Sequence, residues 1–258
     1  MRRLLLPLLA LVAMPRRVEP MRIDAERATL YVDDGALTPS QAARFSRLLD
    51  QGIGDIESYL GPAAPGGLRE GRIVYRVVDD LPYSMTRGRS VSLMLERVRS
   101  DSAPYLHETV HVLLPAPNRS LWLSEGFASF VESHVSETLG GYDSHVFSRA
   151  GNGGVDGEAG RWLTGDRGRE VLPYVGAPGE PLEMLSERRR VAAPFYVLSQ
   201  SFAKFLVERL GLARVVALVS SRDPEGDLER ASGRSVESWK AEWLSAIGVP
   251  AGTSAGPR

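Results

Sequence analysis

Two of this chain's four histidines, His107 and His111, stand four positions apart in the run Tyr105-Leu106-His107-Glu108-Thr109-Val110-His111. On a helix, positions i and i+4 lie one above the other on the same face, so both imidazoles can aim at one point. Two nitrogens alone do not hold a zinc ion. A site open to substrate needs a third protein donor and a fourth position left for water. Glu108 is offset from His107 by about 100° around the helix, where its carboxylate can lean over a metal-activated water and take its proton.

The third donor is expected on a second helix packed against the first. Glu125, in Ser120-Leu121-Trp122-Leu123-Ser124-Glu125-Gly126-Phe127, follows His111 by fourteen residues, and Pro115, Pro117 and Asn118 supply the turn that brings that helix back antiparallel. Trp122, Phe127, Phe130 and Val131 supply apolar packing, and Gly126 allows a close backbone approach. Glu132 lies two turns beyond Glu125 on the same face, a candidate acceptor for the outer N–H of a ligand imidazole. Two histidines and one glutamate select zinc, with cobalt and manganese able to occupy the same donors.

The run His107 to His111 followed by Trp122-Leu123-Ser124-Glu125-Gly126 resembles the gluzincin zinc metallopeptidases, specifically the peptidase-MA-like group related to the aminopeptidase N catalytic domain. That resemblance implies zinc on His107, His111 and Glu125, with Glu108 as general base. It implies a small mixed β-sheet with an edge strand over a mainly helical zincin-type catalytic domain, an α+β fold. Further along, Pro194-Phe195-Tyr196-Val197-Leu198 looks like the family's later helix, from which a tyrosine points into the site, so Tyr196 is expected to stabilise the oxyanion. Tyr174 and His145 are the alternatives. Two features depart from the family: the spacer between the motifs is short, and the amine-recognition motif Gly-any-Met-Glu-Asn is absent. Its place is taken by Ser90 to Glu96, expected to form the edge strand along which an extended peptide lies, and Glu96 is a poor stand-in for the missing glutamate. No glycine and third histidine follow His111, which excludes the metzincin pattern. The expected activity is zinc-dependent hydrolysis of peptide bonds in a peptide or protein substrate. The alternatives are a non-catalytic metal-binding protein of peptidase type that binds peptides or partners, and a latent enzyme whose loop 140–181 is a lid.

Positioning elements can be read around the motif. Ala28 to Val32 reads as a strand, and Thr38-Pro39 opens a helix carrying Ala42, Phe45, Leu48, Leu49, Ile53, Ile56 and Leu60 at helical spacing, ended by Gly61-Pro62. Arg72 to Val78 and Ser90 to Leu95 read as neighbouring strands. Ser102 is a candidate cap for the motif helix, with Pro104 in its first turn. The second helix runs from about Ser120 to Thr138, stopped by Gly140-Gly141. The glycine-dense stretch 140–181 reads as a long loop. The run Pro181-Leu182-Glu183-Met184-Leu185 reads as the start of a short helix, with Arg188 to Arg190 as a solvated face. Helices are expected over Pro194 to Leu210, Ala213 to Ser221 and an amphipathic segment capped by Ser235.

The composition, 43% hydrophobic and 24% charged with a net charge of −1, describes a globular protein with one sizeable core and no nucleic-acid or anionic-membrane partner. A single domain over 21–250 is expected, with a leader at 1–20 and a flexible tail at 251–258. Met1-Arg2-Arg3 before the apolar run Leu4 to Met14 reads as a signal peptide rather than a stable membrane span, which needs about 20 residues. Export to a periplasm or secretion is expected, and with no cysteine the fold must rely on its core or a metal.

Overall fold

The computed structural model describes residues 20–64, 66–142, 154–179 and 189–249. The leader, except for its last residue, and the tail at 251–258 lie outside them, as do His145 and the expected short helix after Pro181. Among the described residues the fold is α+β. A five-stranded sheet comprises β1 (Met21–Asp24), β2 (Ala28–Val32), β3 (Ile73–Val78), β4 (Met85–Arg87) and β5 (Ser90–Met94), in the spatial order β1-β2-β3-β5-β4. The pairs β2/β3 and β3/β5 are parallel, and the outer pairs are antiparallel. Alternation buries Ile73, Tyr75 and Val77 of β3 and Val91 and Leu93 of β5 on one face.

That face is covered by helices. The first, α1 (Pro39–Leu60), links parallel strands β2 and β3 and begins in a complete capping box between Thr38 and Gln41. It buries Ala42, Phe45, Leu49, Ile53, Ile56 and Leu60, the spacing expected of its inner stripe. Short α2 (Leu95–Arg99) follows β5, then α3 (Tyr105–Leu113) and α4 (Leu121–Leu139), which ends at Gly140 with φ 69°. Ser102 does not cap α3. Pro104 occupies the cap position while the Ser102 hydroxyl pairs with that of Ser100 at 2.9 Å.

Part of the stretch read as loop is helical: α5 (Gly154–Thr164) and α6 (Asp166–Val171) lie within it. Their apolar residues Ala159, Leu163 and Val171 are fully buried, so burial of a few side chains outweighs the entropic cost of the glycines. Long α7 (Arg189–Leu210) starts before Pro194, which sits inside the helix rather than opening it. The helix forgoes the one bond that a proline nitrogen cannot donate and keeps its packing. Asp156 ties α5 to α7, accepting from Ser201 Oγ and Lys204 Nζ, both at 2.7 Å. Three helices close the chain: α8 (Leu212–Val219), α9 (Pro224–Ser232) and α10 (Val236–Ala246), the last capped by Ser235. Trp243 of α10 donates to Ser201 Oγ at 2.9 Å.

Candidate metal centre

Helix α3 is core on nearly every side: all its residues except His111 are buried. The β3 side chain Tyr75 reaches it from below, its hydroxyl 2.5 Å from Thr109 Oγ1. Thr109 itself donates to the Tyr105 carbonyl at 2.6 Å, so its single proton is committed and Tyr75 is the donor of the pair. The turn from α3 to α4 is clamped by the chain's C-terminal half. Asn118 Nδ2 donates to the carbonyls of Val219 and Ser221 at 2.9 and 2.7 Å. Glu225 of α9 accepts from Ser120 Oγ and from Trp122 Nε1, both at 2.8 Å. Helix α4 then crosses α7 at Gly126, where a Cβ atom would lie 2.3 Å from the Ser199 carbonyl oxygen. The expected close approach is there.

This framework brings His107, His111 and Glu125 together, with one ligand atom from each within 4.8 Å of the others. His107 Nε2 is 2.9 Å from Glu125 Oε2, His111 Nε2 is 3.1 Å from His107 Nε2, and His111 Nε2 is 3.4 Å from Glu125 Oε1. A tetrahedral ion with bonds of about 2.0–2.1 Å sets its donors roughly 3.3–3.4 Å apart. Two ring nitrogens and one carboxylate, each contact within about 0.5 Å of that separation, make a donor set that suits a metal ion such as zinc.

Charge in the pocket follows from that crowding. Burial works against a cationic His107, but the hydrogen-bonded Glu125 carboxylate, with Glu132 and Glu108 behind it, prevails and raises the imidazole to about 9. Burial likewise works against a charged Glu125, yet His111 and His107 hold its carboxyl well below the usual range. The outer nitrogen of His107, Nδ1, lies 3.3 Å from Ser129 Oγ and 3.9 Å from Glu132 Oε2. Glu132 is 1% exposed, so its carboxylate is placed behind the ring at ion-pair range, and a hydroxyl stands nearer.

All three donors line one open cleft of about 470 Å³, together with Glu108, Thr86 and Tyr196. Thr86 Oγ1 donates to Glu108 Oε2 at 2.6 Å. The Tyr196 ring centroid is 6.1 Å from that of His107. Burial pushes its phenol pKa well above the ordinary value, and the Glu125 and Glu108 carboxylates add to the shift. Tyr174 is 42% exposed and is not among the residues lining this cleft.

One expectation is corrected: Ser90 to Met94 is an interior strand, and the edge on the cleft side is β4, which among the described residues pairs with β5 alone. The reason is the hairpin through Gly88, whose φ of 62° suits the first position of a tight two-residue turn and folds Met85–Arg87 back onto the outside. Sequence reading missed Thr86, Ser129 and Glu225 because each acts through a long-range contact. Gly88, in the turn between the two strands, was the available signal for the hairpin.

No protein-family model matches the chain, and no curated protein does. Among solved structures it is similar to an M1 zinc metallopeptidase from Deinococcus radiodurans, crystallised as a mutant bound to a Tyr-Ser-Ala substrate. The TM-score is 0.45 at 15% sequence identity, over 90% of this chain and 52% of that one. This chain therefore spans about half the length of that neighbour.

Proposed function

We propose that the protein is a zinc-dependent peptidase that hydrolyses peptide bonds in a peptide or protein substrate, with Glu108 as general base. The observation that carries this reading is the convergence of His107 Nε2, His111 Nε2 and the two carboxylate oxygens of Glu125, with contacts of 2.9 to 3.4 Å between them, in an open cleft that also holds Glu108 from the histidines' helix. His107, His111 and Glu125 would hold the zinc. When bound, the ion supplies Lewis acidity, which lowers the pKa of a water and polarises a carbonyl. Glu108 takes the proton of the attacking water on its carboxylate and returns it to the leaving amine. The Tyr196 phenol, held above its ordinary pKa, stays protonated at neutral pH and donates to the carbonyl oxygen as that atom gains charge. Ser129 and Glu132 steady His107 from behind. The basic and apolar leader supports action outside the cytoplasm.

The test is mass-spectrometric cleavage of an unbiased peptide library by zinc-loaded protein beside its Glu108→Gln variant. Cuts are expected from the first and a loss of about 10²–10⁴-fold in the second, at equal zinc content. Full activity in Glu108→Gln removes Glu108 from the mechanism. The absence of cuts from both proteins leaves a metal-binding protein without peptidase activity.

A further inference from the structure

Thr86 reaches across from the sheet edge to the motif helix. Its hydroxyl has one proton and two nearby acceptors on the same residue: Glu108 Oε2 at 2.6 Å and the Glu108 carbonyl at 3.2 Å. The shorter contact, to a carboxylate, takes the proton. The hydroxyl is itself well fixed. Residue pairs Met85 with Ser92, Thr86 with Val91 and Arg87 with Ser90 hold β4 in register, and a β-branched side chain has little χ1 freedom.

We infer that Thr86 is a positioning residue for the general base: it ties up Oε2 of Glu108, fixes the carboxylate's rotamer over the three metal donors, and leaves Oε1 to receive the water's proton. The inference rests on the proposed role of Glu108. It assigns the short edge strand a task distinct from substrate pairing, since the side chain acts on the base and the backbone is not required. A valine has the same shape without the donor, and a serine has the donor without the methyl group.

The test compares kcat and KM of zinc-loaded wild type, Thr86→Val and Thr86→Ser on a library peptide that the wild type cleaves, with zinc content measured for each. Thr86→Val should lose about 10- to 100-fold in kcat, the range that one hydrogen bond to a charged group produces. KM and zinc content should be unchanged, and Thr86→Ser should recover most of the rate. Wild-type kcat in Thr86→Val, or a rise in KM alone, overturns the inference while the peptidase reading stands. If the wild type cleaves nothing, the peptidase reading fails and a double-mutant cycle decides the contact. Thermal midpoints of Thr86→Val, Glu108→Ala and the double variant should show the double losing less than the sum of the singles. Additive losses overturn the contact as well.

Discussion

Replacing Gly126 by alanine tests the framework at its tightest point. The new methyl carbon would lie 2.3 Å from the Ser199 carbonyl oxygen and 2.5 Å from its carbon, whereas such atoms rest at about 3.5 Å. Backbone cannot rotate away as a side chain can, so α4 and α7 must separate by roughly 1 Å. Overpacking of this kind costs about 1–3 kcal/mol, with backbone-on-backbone contact at the upper end. The better helix propensity of alanine offsets about 1 kcal/mol. A net loss of about 2 kcal/mol corresponds to a fall in Tm of about 4–8 °C for a domain of this size. Glu125, the adjacent residue, moves with the helix, and metal sites tolerate about 0.2 Å in ligand distance. Calorimetry on zinc-free protein and zinc titration against a chromophoric chelator should therefore show lower stability and weaker binding together. Gly54 in α1 is the control, because a Cβ there meets nothing closer than 3.6 Å. Gly54→Ala should gain stability by about the propensity difference. A Gly126→Ala protein as stable as wild type, with unchanged zinc affinity, would refute the close-crossing argument.

Glu225→Ala should leave the indole N–H of Trp122, a residue 2% exposed, without its acceptor, at a cost of about 1–3 kcal/mol. Urea unfolding reads the stability loss, and unchanged stability would show that Glu225 does not clamp α4. Zinc-free His107 has its pKa raised from 6.5 to about 9, so its protonated form favours the folded state. That contribution is complete below about pH 6.5 and is lost as pH rises through 9. Thermal scans of chelated protein from pH 6 to 9.5 should therefore show a downward trend that is flatter in His107→Gln. Parallel profiles in the two proteins would count against it.

Local patterns were legible where a single periodicity or cap decides the outcome. Thr38, Pro39 and the apolar stripe of α1 are local signals, and α1 follows them. His107 and His111 were legible as a pair for the same reason, since i and i+4 spacing is set within one helix. Glu125 needed only one turn and one crossing, and Gly126 marked the crossing. What failed to show was decided by partners far along the chain. Glycine density concealed α5, whose helix is held by Asp156 against residues more than forty positions later. Three-residue β4 is too short to carry an alternation, so the edge was assigned to its stronger neighbour. Thr86 matters because a hairpin returns it to Glu108, and no spacing rule foresees that pairing.

Helix α3 and strand β4 differ in how many neighbours the fold sets around them. Nearly all of α3 is buried between the sheet and its helical neighbours, the setting in which backbone amides exchange most slowly, so His107 and Glu108 hang from a stable support. Strand β4 is held by three residue pairs on one side and can fray alone. Thr86 joins a buried helix to an edge strand, and the carboxylate it holds is steady only while that outer strand stays in register.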